Sequence, residues 1–154
     1  MSEPVTRSVV EGFYKALADR DMETLAGYLD DDVVWTISGP VDVLSYCGTH
    51  RGKAAVLDLI LRVVPSLFRV TSHTQESVLV EGNQVAMLNR RSAQRTADGR
   101  VISYRVANFI RFQDGKVIQN LTLLDSFDAV EQVLGHPLVV QEGRAFDSGN
   151  VVAL

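Results

Sequence analysis

The sequence predicts one α+β domain, a cone-shaped roll in which helices pack on a strongly curved, mostly antiparallel sheet and enclose a pocket. Three observations carry this prediction. The chain opens with two short amphipathic segments. A third apolar stripe follows a short β-branched run. From Arg69 to Phe127 the chain then reads as consecutive strand candidates separated by Glu81-Gly82-Asn83, Asp98-Gly99 and Asp114-Gly115. Strands joined by turns of this kind form an antiparallel meander, and helices gathered on one face of such a meander make an α+β layer.

Val9, Phe13 and Leu17 recur every four residues, with Val10 and Ala16 widening the stripe and Arg7, Glu11 and Lys15 lying elsewhere, so a helix is predicted over residues 5–17. Asp21 suits the N-cap of a second helix over 22–29, because its carboxylate can accept from free backbone N–H groups. Asp30-Asp31-Asp32 breaks that pattern, and Val33-Val34-Trp35-Thr36-Ile37 reads as a short strand. Ser38-Gly39-Pro40 signals a turn, and the chain to Gly52 reads as loop. Val56, Leu57, Ile60, Leu61 and Val64 give a third helix over 53–66, limited by Pro65. The strand candidates are 69–80, 84–96, 101–112 and 117–127. A last helix over 128–134 ends at Gly135, and Pro137 bars its continuation. A single domain over 1–154 is expected, with its core at 5–134. The tail from 138 to 154 either docks on this subunit or a partner, or frays.

Composition narrows the function classes. Nearly half of the 154 residues are hydrophobic, the net charge is −4, and no Lys/Arg run exceeds Arg90-Arg91, which argues against a nucleic-acid surface. No apolar stretch approaches the ~20 residues of a membrane span. Met1-Ser2-Glu3-Pro4 has no basic segment leading into an apolar one, as a signal peptide would. The lone Cys47 excludes an internal disulfide and fits a reducing compartment. The expectation is a soluble cytoplasmic protein. His50, His73 and His136 lack metal-ligand spacing, and Gly48 to Lys53 is not a phosphate loop. Neither a metal nor a nucleotide cofactor is expected.

Three segments carry a resemblance. They are Ala18-Asp19-Arg20-Asp21-Met22-Glu23-Thr24-Leu25 with Leu29-Asp30-Asp31-Asp32-Val33-Val34-Trp35; Tyr46-Cys47-Gly48-Thr49-His50-Arg51-Gly52-Lys53; and Phe109-Ile110-Arg111-Phe112 with Asp114-Gly115-Lys116-Val117-Ile118 and Leu124-Asp125. In order and spacing they resemble the nuclear-transport-factor-2-like superfamily, in its SnoaL-like and ketosteroid-isomerase-like branch. The resemblance implies a cystatin-like cone, a pocket and a homodimer packed through the sheet. It implies no single reaction, since members include isomerases, cyclases, dehydratases, epoxide hydrolases and non-catalytic binders. In the ketosteroid isomerases an aspartate on the first strand moves the proton; here that place reads Ile37, which cannot. The oxyanion-hole tyrosine falls at Phe13, with Tyr14 beside it on a different helix face, and the oxyanion-hole aspartate falls at Asn108, which can still donate through its amide. In the SnoaL-like cyclases a histidine and an aspartate straddle the last hairpin; here those places read Asn108 and Thr122. Neither known acid–base pair is present.

Strand alternation, with that alignment, turns one face inward: Asn89, Arg91 and Ala93; Tyr104, Val106, Asn108, Ile110 and Phe112; Asn120, Thr122 and Leu124. Trp35 and third-helix aliphatics would close the cavity. Such a face is too polar for a dry core, and a guanidinium among amides suits an anionic or oxygen-rich small molecule. Bland readings stand beside this one. A one-residue register slip would turn Arg91 outward. Asn108 and Asn120 can satisfy each other across the hairpin, and Trp35 can be plain core. Cys47 reads as a structural thiol or a nucleophile. His50, near the pocket mouth, is a proton-shuttle candidate or a loop histidine. Asp125 is a second shuttle candidate, or caps the helix after it. Two functions follow as expectations. One is cofactor-free binding, with or without turnover, of a small polar or amphipathic molecule. The other is a non-catalytic, dimeric ligand-binding or association module with a vestigial pocket.

Overall fold

Thr6 starts the first helix. Its hydroxyl accepts from the Val9 N–H, so α1 runs Arg7–Asp19 and Val5 stays outside it, donating its own N–H to Gly82. The computed structural model that shows this describes residues 3–139. Val10, Phe13 and Ala16 are the buried face of α1. Asp21 caps α2 (Met22–Tyr28), accepting from the Thr24 N–H at 3.1 Å and the Thr24 hydroxyl at 2.7 Å. Strand β1 (Leu29–Ser38) follows directly. The triple aspartate does not break this strand; it lies in an irregular stretch where the pairing register shifts between Leu29 and Val34.

A short strand β2 (Gly48–Arg51) pairs antiparallel with β1, in a stretch predicted to be loop. Four residues led by a glycine of positive φ carry too little alternation to announce themselves. The predicted third helix is a rod of three parts: α3 (Lys53–Asp58), a π-helical turn (Leu59–Val63) and α4 (Val64–Leu67). The Val64 N–H reaches back to the Leu59 carbonyl. Pro65, which has no N–H to donate, sits in the first turn of α4, where none is needed, so the rod continues past it.

The meander comprises β3 (Phe68–Glu81), β4 (Gln84–Arg95), β5 (Val101–Gln113) and β6 (Lys116–Leu124). Asp114 and Gly115 join β5 to β6 with φ of 50° and 74°, the paired positive values of a two-residue hairpin that matches strand twist. Strand order across the six-stranded sheet is β2-β1-β6-β5-β4-β3. All neighbours are antiparallel except β1 and β6, which run parallel and bring the front of the chain onto the back of the sheet. Strand β6 stops at Leu124 rather than 127 because Asp125 caps α5 (Ser126–Leu134). Helix α5 ends at Gly135, as predicted. Leu138 still donates to the Glu131 carboxylate; the tail from residue 140 lies outside the described residues.

Phe13, fully buried, is the hub of the core, with the rings of Tyr14, Tyr28, Trp35 and Phe112 edge-on or tilted around it. Bulges in β3, between Val70 and Ser72 and between Gln75 and Ser77, bend the far edge of the sheet. Between that bend and the helices the apolar packing gives way to a cavity.

Candidate functional site

The cavity holds about 550 Å³, within the usual range for small-molecule sites. Its polar floor crosses the three central strands. Asn89 on β4 and Asn120 on β6 are each 1% exposed, and Thr122 is 8% exposed. Asn89 donates to the Asn108 side-chain oxygen at 3.3 Å, Asn108 donates to the Thr122 hydroxyl at 2.9 Å, and Asn120 donates to that same hydroxyl at 2.9 Å. The side-chain oxygens of Asn89 and Asn120 are left buried with no protein partner. The two asparagines expected to face each other across the hairpin therefore meet instead at Thr122.

Arg91 stands two residues beyond Asn89, in register with His73 on β3 and Tyr104 on β5. It is partly buried, makes no hydrogen bond or ion pair with any described residue, and its Nε is fully enclosed. Within reach of its charge, the hydroxyls of Tyr14 and Tyr46 are also enclosed without a partner in hydrogen-bond geometry, although the Tyr104 phenol is near enough to Tyr46 to perturb it. Burial pushes both phenols well above their ordinary pKa. Tyr104 adds to the rise at Tyr46, and the Arg91 charge opposes it at both. Tyr14 and Tyr46 therefore remain neutral O–H donors beside a cation that has no counter-ion.

The rest of the wall is apolar: Trp35 and Ile37 from β1, Leu59 and Ile60 from the π turn, Phe68 at the start of β3. Trp35 is both core and wall. Ile37 pairs with Thr122 and presents an aliphatic chain where a proton-moving aspartate would stand in a ketosteroid isomerase. At the mouth stand Arg20, Arg69, His73 and Asp19, the last bound by Lys15.

Of the residues singled out from sequence, Arg91, Asn108, Asn89, Tyr104, Asn120, Thr122, Trp35 and Tyr14 all line the cavity. Tyr14 reaches it although it was placed on a different helix face from Phe13, which lines it too. His50 and Asp125 do not line it. The His50 ring nitrogen lies 3.2 Å from the Tyr46 carbonyl, and the exposed Asp125 caps α5 by accepting from the Asp128 N–H at 3.3 Å. Neither is placed to shuttle a proton in the cavity. Cys47 is buried, and burial pushes its thiol up to about 11, so it is no ready nucleophile. Sequence reasoning missed Tyr46 and His73. Tyr46 comes from an irregular stretch without periodicity, and His73 faces Arg91 only through the bulged register of β3. Among the described residues, no cluster of His, Cys, Asp or Glu could hold a metal ion, and no helix is long and apolar enough to cross a membrane.

Residues 10–120 match the model of the SnoaL-like domain. The chain belongs to the SnoaL-like family. Among solved structures, this SnoaL-like domain is similar to a candidate isomerase from Rhodopseudomonas palustris, with 36% identity and a TM-score of 0.73 over 82% of this chain and 93% of that one. It also resembles TerC, crystallised with polyporic acid, at 19% identity and a TM-score of 0.69 over 82% and 96% of the two chains. A third likeness is an epoxide hydrolase of the LEH-like type from M. tuberculosis, at 19% identity and a TM-score of 0.65 over 83% and 88%. The last two share the fold. No curated protein matches the sequence.

Proposed function

We propose that this SnoaL-like domain binds and transforms a small amphipathic organic anion in the cone, without a metal or nucleotide cofactor. The observation that carries this reading is Arg91, a partly buried guanidinium with its Nε enclosed, lining a largely apolar cavity with no acidic partner. Burying a cation is costly unless something pairs with it, and a carboxylate, enolate or phenolate oxygen fits the guanidinium geometry. Tyr14 and Tyr46, both close enough to feel the Arg91 charge, add neutral donors.

A group of donors aimed at one place also stabilises negative charge that develops on oxygen during a reaction. Isomerisation, dehydration, cyclisation and hydrolysis all pass through such charge, and the similar protein from Rhodopseudomonas palustris is itself a candidate isomerase. In this reading Arg91 and the Asn108 amide hold the developing oxyanion. His73, at the mouth and in register with Arg91, moves the proton in place of His50 and Asp125.

The partner expected beyond the ligand is a second copy of the chain. Supporting it, the convex face of the sheet carries an apolar row, Leu79, Ala86, Phe109 and Leu121, beside a second row of Leu88, Ala107 and Leu123. Leu79, Phe109 and Leu123 are all exposed there.

Titration calorimetry with a panel of small carboxylates and phenolates tests the anion reading. Arg91→Met is expected to weaken the tightest binder at least tenfold while the protein stays folded. Equal binding by wild type and Arg91→Met would sink the proposal.

A further inference from the structure

The floor of the cavity says something more about the ligand, resting on the anion reading above. The Thr122 hydroxyl accepts from two amides, Asn108 and Asn120, and Asn108 in turn accepts from Asn89. A hydrogen-bonded chain that converges on its middle member has its surplus capacity at the ends. Those ends are the side-chain oxygens of Asn89 and Asn120, both buried and both without a donor. They stand two strands apart and four residues out of register, Asn89 level with Val106 and Asn120 with Ile110, with Asn120 beside Trp35 in the parallel pair of β1 and β6. The Thr122 proton, spent on neither amide, lies between them, and each amide keeps a second N–H beside the one already bonded.

The cavity is therefore polarised. Near Arg91 it offers a guanidinium, which only donates, and two neutral phenols free to donate. Its floor offers acceptors at both ends of the amide chain. Both acceptors are enclosed and lack a donor from the protein. A ligand that fills the cavity must bring donors of its own, or leave buried oxygens unpaired. The flat apolar surfaces of Trp35 and Phe68 suit a ring between the two polar sides.

We infer that the ligand is a hydroxylated cyclic acid, a ring whose anionic group meets Arg91 and whose free hydroxyl groups donate to Asn89 and Asn120. A site built to bond a hydroxyl discriminates strongly against the analogue that lacks it, because the protein groups are then stranded. Discrimination here comes from the floor, while affinity for the anion comes from Arg91.

The test is calorimetry on the full chain with benzoate, the monohydroxybenzoate isomers, dihydroxybenzoates and the corresponding methoxybenzoates. The best hydroxylated member is expected to bind at least about tenfold tighter than benzoate and than its own methyl ether. Asn89→Leu or Asn120→Leu should erase that preference while still binding benzoate. Circular dichroism melting of each variant shows that it is folded, and if one of the two fails to fold the other carries the test. A methyl ether that binds as well as the phenol, or better, would mean that the floor presents donors, and would overturn the inference. So would a panel in which hydroxyl groups make no difference, or in which nothing binds. A panel without hydroxyl preference whose affinity still falls in Arg91→Met would leave the anion reading standing, so the two can fail separately.

Discussion

The side-chain amide of Gln132 forms a two-point hydrogen bond with the backbone of Ser103, accepting from its N–H at 2.7 Å and donating to its carbonyl at 2.8 Å. Ser103 needs this because β6 pairs with β5 only from Leu124 opposite Val106 and leaves the earlier part of that edge open. Helix α5 closes the gap with one glutamine. Gln132→Ala should unpair two half-buried backbone groups and lower stability by about 1–3 kcal/mol, read as a lower midpoint in urea with an unchanged slope. Gln132→Glu keeps the acceptor and loses the donor, and should fall between the two.

Arg91 sets ligand affinity against stability. A partly buried guanidinium with its Nε enclosed and no ion pair is a cost in the empty protein, and a group of similar shape without charge removes it. Arg91→Met is therefore expected to melt at the same temperature as wild type or a few degrees higher, while its response to added ligand is lost. A marked fall in melting temperature would show that Arg91 supports the wall itself.

The convex face makes a separate prediction. If a second copy covers Phe109, then Phe109→Glu places a charge in an apolar contact and should convert a dimer to a folded monomer in sedimentation or light scattering. A wild-type protein that is already monomeric at tens of micromolar would remove the partner expected here.

Cys47 should be slow to modify. With its thiol pushed up to about 11, the thiolate at pH 8 is on the order of a hundredfold scarcer than in a free cysteine, so reaction with a thiol reagent should be correspondingly slow until the protein unfolds. The sign for stability follows. The folded pKa lies above the unfolded one, so this contribution is intact below about pH 8.5 and is lost as the pH climbs toward 11. Cys47→Ala should flatten that part of the alkaline decline.

Much of this arrangement was readable beforehand because it depends on period and turn chemistry. The Asp-Gly turn fixes the register of β5 against β6, and that register turns Asn108, Asn120 and Thr122 to one side. Arg91 follows from the same alternation one strand further on. What escaped depended on contacts between distant segments. The four residues of β2 become a strand only because β1 lies beside them. Tyr46 owes its place to an irregular stretch that no periodicity describes. His73 owes its place opposite Arg91 to the bulge between Gln75 and Ser77, and bulges leave no regular trace in sequence. Asp125 shows the opposite case, where one acid offered two local readings and only the helix that begins after it decided between them.

Trp35 is the single tryptophan of the chain and forms part of the cavity wall beside Asn120. The protein thus carries one indole, which can be excited apart from its four tyrosines, and it sits where a ligand would arrive. Near-ultraviolet emission reports on occupancy without a label, since indole emission follows the polarity around the ring. Displacing cavity water with an apolar ring should shift the emission to the blue, whereas substitutions on the convex face should leave its wavelength alone. A library of unlabelled compounds can be screened for this cone by light alone, before any reaction has been assigned to it.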